Sequence, residues 1–150
     1  MREINNFQLT QYVNLQQLEC PCCHQVKISV KLVNILDKIR ELIPVIVTSG
    51  YRCSNHNKEV GGAINSFHIQ GLALDLHPIM ITNSNATVIN LFNFACGMPD
   101  LRGIGLYIHH VHIDLRQGKR AYWVKFQGEN YRYFSNSDLV LKYFKSKISS

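Results

Sequence analysis

Three side chains in this sequence could share a metal ion: His68 and Asp75, with six residues between them in S-F-H-I-Q-G-L-A-L-D-L, and His112 in H-H-V-H-I-D-L-R. Two neutral imidazoles and one carboxylate suit a divalent zinc ion. A set of three leaves a fourth position for water, the arrangement of a catalytic rather than a structural zinc. A metal so held would make water a nucleophile near neutral pH. The chemistry requires that the three meet in space, which depends on the elements that carry them.

Lys31 to Ile43 has apolar residues at Leu32, Ile35, Leu36, Ile39, Leu42 and Ile43, a helical period with Ser29 as its cap and Pro44 as its stop. Val45 to Thr48 is a β-branched run closed by Ser49-Gly50 and predicts a buried strand. A short helix is expected from Ser54 to Val60, ended by Gly61-Gly62. Alternation in Leu72-Ala73-Leu74-Asp75-Leu76 puts Ala73 and Asp75 on one side of a strand and the leucines on the other, so Asp75 projects away from the leucine core. Asn85 is expected to cap a second amphipathic helix through Ala86, Val88, Ile89, Leu91, Phe92 and Ala95, which Gly97 and Pro99 terminate. Strands follow near Gly103 to Tyr107 and Val111 to Leu115, joined through Ile108, His109 and His110, with His112 and Asp114 on one face of the second. One more strand is predicted at Ala121 to Phe126, then a turn at Gly128-Glu129-Asn130. The last helix is expected to be capped by Ser137, with Leu139, Val140, Tyr143 and Phe144 as its inner stripe. Helices and mainly antiparallel strands in this order argue for an α+β fold.

Composition fits one domain over residues 1–150, with an irregular segment over 1–28: 150 residues, 46% hydrophobic and 17% charged, are ordinary for a globular chain with a real core. The formal charge is +6, and Arg116, Lys119, Arg120, Lys125, Arg132, Lys142, Lys145 and Lys147 crowd the C-terminal third among aromatic residues. Such a region could attract an anionic polymer or cell-wall surface. Equally, it could be a sheet and helix with buried apolar faces and solvated charges. No nucleic-acid fingerprint accompanies the charge. No stretch approaches the roughly 20 apolar residues of a transmembrane helix, and the start M-R-E-I-N-N-F-Q-L-T has no secretory leader pattern.

The run C-P-C-C-H adds a second set of ligand-competent residues, Cys20, Cys22, Cys23 and His24. Three readings stay open: a structural metal, a disulfide, for instance to Cys53, or reduced thiols packed as small hydrophobes. Five cysteines are an odd number, so at least one is free or pairs with another chain. His24, His56 and His77 have no partner at metal-binding spacing and are expected to be surface or hydrogen-bonding residues.

The segment from Val47 to Leu76, V-T-S-G-Y-R-C-S-N-H-N-K-E-V-G-G-A-I-N-S-F-H-I-Q-G-L-A-L-D-L, followed by G-I-G-L-Y and V-H-I-D-L-R, resembles the zinc D-alanyl-D-alanine carboxypeptidase and L-alanyl-D-glutamate endopeptidase family. These are peptidoglycan peptidases and include phage endolysins. The resemblance covers about residues 29–116. It implies a hedgehog-like single domain, one Zn²⁺ held by His68, Asp75 and His112, and Arg52 as an anion-binding residue near the scissile bond. Ser66 and Tyr51 are implied as residues that support the site or touch substrate, and Asp114 as the carboxylate that orients a ligand histidine. Gly71 and Ala73 are expected to be small because bulk there would crowd the metal.

The chain departs from the family pattern at the general base. Many relatives place a carboxylate three residues before the last zinc histidine, whereas His109 stands there with His110 beside it. An imidazole can do the same work near neutral pH. His109 holds the family position and is the first choice; His110 shares strand parity with His112 and is the second. The expected substrate is a peptidoglycan stem peptide, cut by a monomer that is made in the cytoplasm and, if phage-derived, reaches the wall through a holin-made opening. A zinc-containing wall-binding module without turnover is the alternative.

Overall fold

Alternation along the central strands decides the architecture. In the computed structural model, which describes residues 5–79 and 87–150, six strands form one sheet in the order β1-β2-β4-β3-β5-β6. They are β1 (Val45–Ser49), β2 (Ala73–Pro78), β3 (Gly103–Leu106), β4 (Val111–Asp114), β5 (Ala121–Val124) and β6 (Arg132–Phe134). All neighbours pair antiparallel except β3 with β5. Leu74 pairs with Ile113 and Leu76 with Val111, so these side chains fall on one face, where they join Ile104, Leu106 and Val124 in the core. The same core takes the buried residues of α1 (Val30–Leu42), α3 (Val88–Cys96) and α4 (Ser137–Ile148). The opposite face is left for polar residues and a cleft. The chain is α+β, a small, mainly antiparallel sheet with flanking helices.

Helix α1 has Ser29 at its N-cap, but the hydroxyl makes no capping bond; the Ser29 amide instead donates to the Gly71 carbonyl at 2.9 Å. The short helix α2 (Ser54–Glu59) is capped by the Cys53 sulfur. Thr87 caps α3 through its side chain, while Asn85 and Ala86 lie outside the described residues. Asn136, not Ser137, caps α4, accepting from the Leu139 amide at 3.0 Å. Strand β6 was not anticipated. It is a three-residue edge strand, too short for any period to register.

The N-terminal stretch is irregular apart from a 3₁₀ turn at Leu15–Leu18, yet Val13 and Leu18 are fully buried in the core. Arg40 secures it, donating to the Tyr12 carbonyl and to Gln17 Oε1 at 2.7 and 2.6 Å.

Much of the basic aromatic C-terminal region is structural. Arg132 lies 4.6 Å from the Tyr143 ring centre, and Phe126 stacks on Phe144 at 5.5 Å. Arg120 donates to the carbonyls of Cys96, Leu101 and Met98, closing the end of α3. Arg120→Ala would leave these acceptors without their donor, and chemical denaturation is expected to show a loss of about 1–3 kcal/mol. No helix among the described residues is long and apolar enough to cross a membrane.

Candidate active site

Register carries a single row of residues across the cleft face of the sheet. Ser49 pairs with Asp75, Asp75 with His112, His112 with Gly105, Gly105 with Trp123, and Trp123 with Tyr133. The row touches every strand. Gly105 makes the close approach possible, because a Cβ there would collide with the Trp123 indole. That indole is nearly buried, packs 5.2 Å from the His112 ring centre, and donates from Nε1 to the Tyr107 hydroxyl at 3.3 Å.

His68 reaches the row from the turn before β2. The Ser66 hydroxyl accepts from the His68 amide at 3.3 Å, and the Phe67 carbonyl from the Leu72 amide at 2.9 Å, which closes the turn. Gly71 has φ +71°, and a Cβ there would run into the Lys27 carbonyl oxygen. Its size is therefore set by backbone conformation and the neighbouring chain rather than by room for a metal.

The potential ligand atoms of His68, Asp75 and His112 all lie within 4.8 Å of one another. His68 Nδ1 lies 2.8 Å from the Gly50 carbonyl, so the neutral ring carries its proton there. Nε2 is then a buried lone pair, the one buried side-chain polar atom among the described residues without a hydrogen-bond partner, 3.3 Å from Asp75 Oδ1. His112 repeats the pattern. Its Nε2 is 2.8 Å from Asp114 Oδ2, and its Nδ1 faces Asp75 Oδ1 at 2.9 Å. Two imidazole nitrogens and a carboxylate oxygen thus converge, the His112 nitrogen hydrogen-bonded to Asp75 and the His68 nitrogen without a partner. Ligands about 2.0–2.1 Å from a tetrahedral zinc stand about 3.3 Å apart, so spacing and chemistry both fit the ion.

The electrostatics agree. Burial opposes charge on Asp75, but His112 and His68 hold its carboxyl well below the usual range. Burial alone would lower His112; Asp114 and Asp75 outweigh it and push the imidazole up to about 9. Asp114 is fully buried and gripped by Arg116, with Nε 2.9 Å from Oδ1 and Nη2 2.7 Å from Oδ2. Arg116 in turn lies 4.9 Å from the Phe67 ring centre and 5.0 Å from that of Trp123.

Asp114→Asn tests this support. Arg116 would claim the amide oxygen, turning the NH₂ toward His112 Nε2 and forcing the ring proton onto Nδ1, the atom that faces Asp75 Oδ1. Zinc affinity is expected to fall about 10–100-fold in chelator competition.

Arg52 is tied into the site rather than lying free. It donates from Nε to Ser49 Oγ at 2.7 Å, from Nη1 to Asn57 Oδ1 at 3.3 Å and from Nη2 to Asp75 Oδ2 at 3.1 Å. These bonds use three of the five guanidinium N–H groups. Tyr51 stands apart from the cleft: its phenol is raised first by burial and then by the nearby thiols of Cys23, Cys53 and Cys20.

A cleft of about 420 Å³ opens over His68, Asp75 and His112, walled by Arg52, Arg116, Tyr107, Tyr131 and Tyr133; its size is ordinary for a ligand site. Tyr107 also borders an adjacent hollow that contains His109 and His110. His110 stacks on Tyr107 at 4.0 Å. Burial lowers its pKa, and it senses the charges of Asp75, His112, His77 and His68. His109 is exposed, its ring centre 6.3 Å from that of His77.

The sequence matches the model of the peptidase M15 family over residues 5–114, a span that includes His68, Asp75 and His112. The chain belongs to the peptidase M15 family. It is a zinc metallopeptidase, and the match takes in the N-terminal segment that the motif resemblance, begun at residue 29, left out. No curated protein matches the chain.

Trp123, Tyr133 and Gly105 of this peptidase were not singled out as site residues from sequence. The signal for them was parity: Gly103 and Gly105 alternate with Ile104 and Leu106 in β3, marking a face where neighbouring side chains need the room.

Proposed function

We propose that this peptidase cuts peptide bonds in the stem peptides of bacterial peptidoglycan, with its zinc held by His68 Nε2, Asp75 Oδ1 and His112 Nδ1. The observation that carries this reading is the convergence of His68 Nε2, Asp75 Oδ1 and His112 Nδ1, with His68 Nε2 buried and without a hydrogen-bond partner. When bound, zinc supplies a Lewis acid that polarises the scissile carbonyl and acidifies water.

The rest of the chemistry falls to the chain's own residues. Gly50 and Asp114 fix the tautomers of the two histidines, so the proper nitrogen of each faces the site. The uncommitted N–H groups of Arg52, at the cleft wall, orient a substrate carboxylate or steady the developing oxyanion. The Tyr107 hydroxyl accepts from Trp123 and is hydrogen-bonded with Tyr131; its O–H would turn from Tyr131 to donate to the same oxyanion. His110 takes the proton from the attacking water and returns it to the leaving amine. Its depressed pKa keeps it neutral, and it senses the charges of Asp75, His112, His77 and His68; the exposure of His109 weighs against the family position.

The walls support this substrate class. Arg52 and Arg116 offer cationic forks, and Tyr131 and Tyr133 are largely exposed aromatic surface beside them. Such a cleft suits short peptides rich in carboxylates, as peptidoglycan stems are. Purified protein incubated with peptidoglycan and defined muropeptides, with and without chelator, should give products whose masses distinguish release of a terminal D-Ala from cleavage after L-Ala. Absence of chelator-sensitive cleavage on both would reject the substrate assignment. Within the same assay His110→Ala is expected to lower kcat about 10²–10⁴-fold, with His109→Ala changing it little; the reverse order would return the base to His109. Action at the wall as an endolysin is the finer form of this proposal. Expression with a holin should then lyse cells, and the Asp75→Asn variant should not.

A further inference from the structure

Away from the metal cleft, a second set of ligand-competent side chains converges. The sulfurs of Cys20, Cys22, Cys23 and Cys53 all lie within 4.8 Å of one another. Cys22 Sγ is 3.2 Å from Cys53 Sγ and 3.6 Å from Cys20 Sγ. Three of the four come from one turn, and the fourth from the loop that opens α2.

The local backbone has the form that a sulfur-bound ion requires. Cys20 and Cys23 stand in C-x-x-C spacing, and the chain reverses around them: the Cys20 amide donates to the Gln25 carbonyl at 2.9 Å, and the His24 amide to the Cys20 carbonyl at 2.8 Å. His24 closes the turn at φ 59°, the left-handed conformation, which few non-glycine residues adopt. Amide donors point at the sulfurs of Cys20 and Cys53. The Cys53 N–H donates to Cys20 Sγ at 3.4 Å, those of Cys23 and Cys22 are directed at the same atom, and the His56 N–H donates to Cys53 Sγ at 3.4 Å. Hydrogen bonds to sulfur favour the thiolate, the form that binds metal.

We propose that Cys20, Cys22, Cys23 and Cys53 bind a second, structural zinc ion, separate from the ion of the cleft. Four thiolates make a closed structural site, and sulfurs about 2.3 Å from a tetrahedral zinc stand about 3.8 Å apart, within the spacing observed. A Cys22–Cys53 disulfide would use two of the four sulfurs and give the amides around Cys20 no purpose.

The position of the ion explains what it would do. It joins the N-terminal segment to residues 50–53, where the Tyr51 amide already donates to the Leu18 carbonyl at 2.9 Å. That short loop supplies the Gly50 carbonyl that sets the His68 tautomer and the Arg52 guanidinium that holds Asp75. The structural ion thereby holds the support of the first one. The inference does not depend on which peptide the cleft cuts.

The test counts metals in the full chain, purified under reductant with zinc and then substituted with cobalt. Two zinc ions per chain are expected. His68→Ala/His112→Ala should retain one, together with the near-ultraviolet thiolate-to-cobalt charge-transfer absorption. Cys22→Ser/Cys53→Ser should also retain one but lose that absorption. A wild-type count of one with no thiolate-to-cobalt absorption would overturn the proposal, and this reading does not require any variant to fold. Recovery of a Cys22–Cys53 disulfide peptide from protein alkylated under the same reducing conditions would also overturn it.

Discussion

Asp75→Asn is expected to empty the zinc site and lower peptidase activity by about three orders of magnitude, some 4 kcal/mol of transition-state stabilisation, while the fold persists. The expectation comes from the division of labour between the two carboxylate oxygens. Oδ1 faces His68 Nε2 at 3.3 Å and His112 Nδ1 at 2.9 Å, and Oδ2 accepts from Arg52 at 3.1 Å. In the amide, Arg52 claims the oxygen, and the NH₂ turns toward the two imidazole lone pairs. Two donors then fill the space the cation needs, and the cluster satisfies itself without metal. Zinc counting, circular dichroism and turnover on muropeptides would each report separately. A folded variant that still binds one ion at this site and still turns over would refute the ligand assignment.

Removing the metal should give stability and zinc binding opposite responses to pH. In the metal-free protein His112 is protonated up to about 9 because Asp114 and Asp75 outweigh its burial. Its folded pKa is thus raised above the unfolded value of about 6.5. A group shifted upward contributes its full stabilisation below the unfolded pKa and loses it as pH rises through the folded one. The chelated protein should therefore lose a few kcal/mol between about pH 6.5 and 9. Zinc must displace that same proton, so its apparent affinity should rise about tenfold per pH unit over this window. Melting curves with and without chelator at about pH 6.5, 7.5 and 8.5 would show the two forms diverging as pH rises. Parallel curves would mean that the His112 proton does not compete with metal.

The parts of the site visible in the sequence are those encoded by local alternation. L-A-L-D-L and V-H-I-D each fix a face within five residues or fewer, so Asp75, His112 and Asp114 could be assigned to sides of their strands before any fold was known. Register between strands depends on contacts far apart in sequence, and it decides that Trp123 and Tyr133 continue the same row. Neither followed from its neighbours. The N-terminal segment shows no period because a 3₁₀ turn and side-chain bonds shape it, although Val13 and Leu18 are as buried as any helix residue. Gly71 was legible as a position that must be small, but the reason lay with Lys27, far away in sequence. The cysteines were legible as a cluster of three; only the fold delivers Cys53 to them.

The family match ends at Asp114, while Arg116, Trp123, Tyr131 and Tyr133, which wall the cleft, all come later in the chain. Part of the cleft wall is therefore written after the stretch that holds His68, Asp75 and His112, while Arg52 and Tyr107 lie within it. A hairpin exchanged across β5 and β6 could redirect the enzyme to a different bond without disturbing the cradle of the ion, provided that Trp123 stays to fill the hollow over Gly105.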